Sequence, residues 1–231
     1  AGQGRIGQFS VLVLMFFLMI VGIIYVEQGQ RRIPIQFAKR VRGRKVMGGQ
    51  STYIPLKVNS AGVIPVIFAT SVLFFPALIA TSLPQDNRVT AGIRNWIDVN
   101  LANSQGTSWF YIFFLGMLII FFTYFYTTIQ FDPVRQSDMI RRQGGFIPGV
   151  RPGISTTNYL SHIINRITLP GSVFLASVAV LPSIASAIWD IPLGFSGISI
   201  LITVGVALET MKQIESQLSL SLIHISEPTR P

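Results

Sequence analysis

Five stretches of this chain contain no Asp, Glu, Lys or Arg: Phe9–Val26, Ala61–Leu83, Trp109–Ile129, Leu169–Trp189 and Ile191–Leu208. No other feature narrows the possible folds as much. A bilayer core of roughly 30 Å is crossed by about 20 apolar residues in a helix, and only internally bonded backbone can cross it. One such run could be the buried helix of a soluble core. Five in 231 residues exceed what one soluble core can cover. Charged residues make up 12% of the chain, where soluble domains carry about 25%. The expectation is an all-α polytopic membrane protein with helices over about 9–28, 59–83, 108–130, 168–189 and 195–218. No cleavage motif follows the first run, so it reads as a span and not as a signal peptide. Without cysteine, disulfide and thiolate chemistry are excluded.

The charges lie in the connections. The net charge of +9 on a soluble domain would suggest nucleic acid, but here its placement is local. Arg31–Lys57 holds eight basic residues and no acid. The next connection, Pro84–Ser108, balances Arg88 and Arg94 against Asp86 and Asp98. The third, Phe131–Thr168, sets Arg135, Arg141, Arg142, Arg151 and Arg166 against Asp132 and Asp138, and "WDIP" is read as a tight turn at Asp190. Basic residues thus concentrate in alternate loops. Cytosolic loops retain Lys and Arg, so loops 31–57 and 131–167 are expected in the cytosol and the N-terminus outside. Topology needs only a few positive charges. Eight in one loop call for an anionic partner as well.

The first loop has internal order. "RIPIQFAK" alternates Ile33, Ile35 and Phe37 with other residues, "STYIPLK" suits a returning strand, and "RGRKVMGGQ" between them is turn-rich. This predicts a β-hairpin finger, with Pro34 and Pro55 at edge positions. In the outer loop, Ile93, Trp96, Ile97 and Leu101 fit either a short helix on the membrane surface or a partly ordered loop.

No catalytic constellation appears. His162 is the only histidine before the C-terminal tail and reads as a loop or helix-start residue. "QGGFIPGVRPG" lacks the strand and helix context of a dinucleotide site. No enzyme activity and no cofactor or metal is assigned. Coupled transporters place ionisable groups inside the bilayer. These cores offer only weaker polar groups such as Thr70, Ser71, Thr123 and Thr203, which permits a pore closed by apolar side chains. The second span, "NSAGVIPVIFATSVLFFP", has Ser60, Ala61 and Gly62 for close packing, and Pro65 and Pro76 to loosen its hydrogen-bond ladder. It reads as a kinked packing helix or as a moving gate.

"RRIPIQFAKR", "QSTYIPLKVNSAGVIPVIFA", "FDPVRQSDMIRRQGGFIPGVRPG" and "TMKQIESQL" together resemble the C-terminal half of bacterial SecY, the channel family of the general protein-secretion translocase. The resemblance runs from about Gly4 to Leu218. It implies five helices forming one half of a ten-helix, inverted-repeat channel, without the other half's plug, gate helix and pore-ring residues. It further implies a bacterial plasma membrane location and work with SecE, SecG, the SecA motor ATPase, ribosomes, signal-sequence-bearing polypeptides and membrane lipid. By the resemblance, Ile67 and Ile202 match pore-ring positions. Asn59, Gly62 and Pro65 belong to the lateral gate, and Arg40, Arg42, Arg44, Lys45 and Arg151 to SecA and ribosome docking. Taken alone, each Ile reads as helix packing and Arg151 as a solvated loop charge.

Two other classes compete with a protein-conducting channel. A small-solute permease needs a polar site at midplane, which the sequence does not offer. A membrane anchor recruiting ribosomes through basic loops leaves the double-proline helix unexplained. The last residues, "LSLIHISEPTRP" (Leu220–Pro231), bear no likeness to what precedes them. They resemble the translation of a sequencing-library adapter, so 1–219 is taken as the channel half and 220–231 as a non-native tail in which His224 and Glu227 have no role. The fifth helix is expected to end near Leu218.

Overall fold

The computed structural model describes residues 2–37, 40–42, 45–47, 51–82, 88–101, 108–189 and 196–226. Among the described residues, five helices are long and apolar enough to cross a membrane. They are α1 (Gly2–Gln28), α2 (Ile64–Ser82), α4 (Trp109–Gln130), α6 (Ile154–Trp189) and α7 (Gly197–Ser226). The shorter helices α3 (Arg88–Asn100) and α5 (Pro133–Arg142) lie between them.

Helix α6 is the axis of the bundle. Its apolar span is 56% buried, against 28% or less for the others. Facing it, α4 turns inward Ile112, Leu115, Ile119, Thr123 and Thr127, a stripe at helical spacing. Met19 and Ile23 of α1, Val66, Ala69 and Leu73 of α2, and Ile200 and Leu201 of α7 complete this core. Gly197 starts α7 hard against α6. A Cβ there would collide with the Val178 carbonyl, which is the carbonyl that Pro182 leaves without its donor four residues on.

The basic loop is a hairpin. Strand β1 (Gln30–Phe37) pairs antiparallel with β4 (Ser51–Lys57), in register Gln30↔Lys57 to Gln36↔Ser51. Nearer the tip, β2 (Arg40–Arg42) pairs with β3 (Lys45–Met47). Pro55 lies on the edge strand, as expected. Pro34 lies on β1, which also pairs with β5 (Gly145–Phe146), but only at Gln36 and Phe37. Pro34 thus sits outside the stretch flanked by two strands. The alternation of β1 puts Ile33 and Ile35 inward, where they meet Leu56, Ile140 of α5 and Leu160 of α6 in a second core.

Several boundaries differ from the sequence expectation. Loop 131–167 is largely ordered: it holds α5, β5 and the first turns of α6, which begins at Ile154 and not near 168. Asp132 caps α5, its Oδ1 accepting from the backbone N–H groups of Val134 (2.9 Å) and Arg135 (3.3 Å), with Pro133 in the first turn. His162 is therefore an exposed residue within α6. The second span starts at Ile64, not 59, because Gly62 takes φ +65° and turns the chain first. Pro65 then falls in the first turn of α2, where its missing N–H has no intrahelical acceptor to lose. Only Pro76 lies inside the helix. The fifth helix starts at Gly197 and continues through Ser226, past the expected end near Leu218. Nothing between Leu218 and Ser226 is Gly or Pro, so the backbone has no reason to stop there. Asp190, Arg44 and Glu227 lie outside the described residues.

Candidate functional site

The candidate site has two parts, an apolar face on α2 and α7 and a basic body at one end of the bundle. They meet at the junction between β4 and α2.

Val58 and Asn59 build the junction. The Val58 N–H donates to the Gly29 carbonyl at 2.9 Å, extending the hairpin ladder to the end of α1. The Val58 carbonyl lies so close to α6 that a Cβ on Gly171 would sit 2.8 Å from it. Asn59 is 5% exposed. Its Nδ2 donates to Glu27 Oε2 at 2.9 Å and to the Gly62 carbonyl at 3.2 Å, while its Oδ1 is buried without a partner among the described residues. The structure thus brings Asn59, Gly62 and Pro65 together at the entrance of α2. Gly62 serves there through its backbone conformation and not through close packing, since a Cβ on it would meet nothing within 4 Å. The close approaches are at Gly171 and Gly205 instead.

Beyond the junction, α2 buries Pro65, Val66, Ala69, Leu73 and Ala80. Its opposite face is open: Ile67 is 43% exposed, with Ile64, Ser71, Phe74 and Leu78 also exposed. The entrance of α2 touches α7 where a Cβ on Gly205 would stand 2.8 Å from Val63 Cγ1. Consecutive spans run in alternate directions, so α2 and α7, the second and fifth, are antiparallel. Ile67 is four residues along α2 from Val63, and Ile202 three residues back along α7 from Gly205. Each step is about one turn on the same helix face, roughly 5–6 Å. Ile67 and the half-buried Ile202 therefore each lie about one turn from the Val63–Gly205 contact, in the same direction from it, while α2 itself packs chiefly on α4.

The hydroxyls in these cores turn to their own backbones. Thr70 donates to the carbonyls of Val66 (3.1 Å) and Ile67 (2.9 Å), and Ser71 to Ile67 (2.8 Å). Thr123 donates to Ile119 (2.7 Å) and Thr203 to Ser199 (2.8 Å). With their donors used in this way, these groups add little polarity to the face around Ile67.

The basic body gathers the remaining residues. Arg40 and Arg42 stand on β2 and Lys45 on β3, with Arg42 directly opposite Lys45 in the register. Arg151 is exposed on the turn that joins β5 to α6. The turn is held from behind: the Thr156 hydroxyl donates to the Arg151 carbonyl at 2.9 Å and the Ser137 hydroxyl to the Gly153 carbonyl at 3.2 Å. Pairing of β1 with β5 at Gln36 and Phe37 puts this turn beside the hairpin, at the tip-side end of β1. At the other end of the bundle, α3 meets the start of α4 through an edge-on Trp96–Phe110 ring contact at 5.6 Å.

Sequence reasoning passed over Glu27. Its signal was a lone acid closing an apolar run just ahead of an acid-free basic loop.

Comparison with known proteins gives the arrangement its family. The protein translocase subunit SecY of Streptomyces coelicolor is 50% identical over 213 residues, covering 91% of this chain and 47% of that protein. The SecY subunit of Mycobacterium tuberculosis is 47% identical over 218 residues, with 91% and 48% covered. The chain thus spans about half the length of the curated relatives it matches. A solved structure described as a protein conducting channel superposes with a TM-score of 0.59 at 17% identity, over 94% of this chain and 51% of that one. A second, from work on how the SecY plug domain maintains a membrane seal, gives 0.56 at 17% identity. The SecY family model matches residues 2–211, and on that match, with five spans and a basic hairpin finger in place, the chain belongs to the SecY family.

Proposed function

We propose that this chain forms the gate-bearing half of a protein-conducting channel for secretion and membrane insertion of polypeptides. The observation that carries the reading is the Val63–Gly205 contact, with Ile67 and Ile202 each about one turn from it in the same direction. With the neighbouring hydroxyls bonded to their own helices, these side chains offer a dry constriction, and an apolar constriction seals by excluding water. The relatives' additional length supplies the facing half. The entrance of α2, with Asn59, Gly62 and Pro65, borders the route by which apolar segments reach lipid.

The membrane is a bacterial plasma membrane, with the finger and loop 131–167 on the cytosolic side. Arg40, Arg42, Arg44, Lys45 and Arg151 dock the ribosome and the SecA motor, and SecE and SecG complete the channel. Support comes from the opposed Arg42 and Lys45, which an anionic surface such as ribosomal RNA would neutralise through phosphate contacts. A permease fits poorly, because the core hydroxyls named above spend their donors on their own backbones.

Conductance of the full-length channel in planar bilayers tests the proposal. Ile67→Gly opens a wettable gap in the ring, so the resting channel is expected to leak ions. A variant as tight as the parent would assign Ile67 to packing and sink the pore reading.

A further inference from the structure

The junction holds a group that the channel reading does not use. Glu27 ends α1, and its carboxylate accepts from Asn59 Nδ2 at 2.9 Å. The same nitrogen donates its other hydrogen to the Gly62 carbonyl at 3.2 Å. Both amide hydrogens are therefore committed. If the amide were turned over, its oxygen would face a carboxylate and a carbonyl, and no donor would lie between the three acceptors. Glu27 thus fixes which way Asn59 points. One consequence is that Oδ1 is buried with no partner among the described residues, a position that is costly to maintain. Gly62 at φ +65° sits in the same turn, immediately before α2.

We propose that Glu27 is a positioning residue for the gate helix: its carboxylate orients Asn59 and ties the entrance of α2 to the end of α1. The inference rests on the reading of α2 as a gate. The tie is reversible by construction. Moving α2 away from α1 breaks one hydrogen bond to a carboxylate, and it also frees Oδ1 to take a donor from water or from a passing polypeptide backbone. The second change offsets the first. The tie also lies where the hairpin joins the bundle, since Val58 bonds to Gly29 two residues after Glu27. A pull on the finger therefore reaches the gate through α1 and Glu27 as well as through β4.

The test uses full-length protein reconstituted with its translocase partners, measuring export of a signal-bearing preprotein. Asn59→Asp removes the donor and sets a second carboxylate against Glu27, and export is expected to fall about tenfold or more. Adding Glu27→Gln returns an N–H donor facing the new carboxylate and is expected to restore export to within about threefold of the parent. A structural role for Glu27 alone does not predict this rescue. If Asn59→Asp is impaired and Glu27→Gln does not rescue it, the Glu27 inference is overturned and the gate reading stands. If Asn59→Asp and Asn59→Ala both export at the parental rate, Asn59 is not part of the gate and both readings fall. Should Asn59→Asp fail to accumulate in the membrane, Glu27→Gln and Glu27→Ala decide. The glutamine can still accept from Nδ2 and should match the parent, whereas the alanine should not. Equal rates for the two overturn the proposal.

Discussion

Substituting Gly205 by alanine probes the proposed seal without changing Ile67 or Ile202. A Cβ at Gly205 would stand 2.8 Å from Val63 Cγ1, while carbon atoms in contact rest at about 3.5–4.0 Å. The helices must therefore part by about 1 Å at this level, or Val63 must leave its rotamer. As a β-branched residue next to the Gly62 turn, Val63 has little freedom to do so. Overpacking of this kind costs about 1–3 kcal/mol. On the proposed pore reading, Ile67 and Ile202 lie one turn beyond the contact, so the separation reaches the proposed ring and opens it. Gly205→Ala should leak ions at rest and lower the thermal stability of the purified channel. Val63→Ala removes the opposing methyl groups, so the double variant should recover both properties, with a coupling of about 0.5–3 kcal/mol. The assay is single-channel conductance in planar bilayers alongside thermal aggregation in detergent. A Gly205→Ala channel that is both tight and stable would refute the reasoning, because α2 and α7 could not then meet at Val63. A leak that Val63→Ala does not relieve would refute it too.

Three further outcomes follow from the rest of the molecule. Charge reversal at Arg42, Arg44 and Lys45 should weaken ribosome and SecA binding, with little effect on membrane insertion. The parental affinity should fall with salt, and binding that is indifferent to ionic strength would remove the electrostatic basis. Arg151→Glu should stop SecA-driven export while leaving the seal intact, since the exposed side chain lies on the turn beside the finger and away from Ile67; a leak in conductance measurements would contradict this. Gly62→Ala should destabilise the entrance of α2 by about 1–2 kcal/mol, the cost of a left-handed backbone with a side chain. It should do so without steric conflict, because the space around Gly62 is empty, and an unchanged melting temperature would argue against that turn.

The sequence by itself determined the spans, the hairpin and the gathering of basic residues in alternate loops. Each of these is a local property. An apolar run of sufficient length has one low-energy form in a bilayer, as a helix, and the alternation of Ile33 and Ile35 with polar neighbours commits β1 to one buried face. The Asp132–Pro133 pair was an equally local signal for α5, passed over because the surrounding charge read as loop. What the sequence could not decide was where helices begin relative to their prolines and which residues meet. Pro65 looked like a kink and is a first-turn residue, because the φ of Gly62 sets the start of α2, and φ is not legible from composition. Gly62 looked like a packing contact, while the tight approaches fell to Gly171 and Gly205. A glycine's neighbours depend on the crossing of helices far apart in the chain. For the same reason Glu27 and Asn59, separated by 32 positions, carried no visible relation. Only the return of the hairpin, strand against strand, brings the end of α1 to the entrance of α2 and makes a lone acid into a hydrogen-bond partner of Asn59.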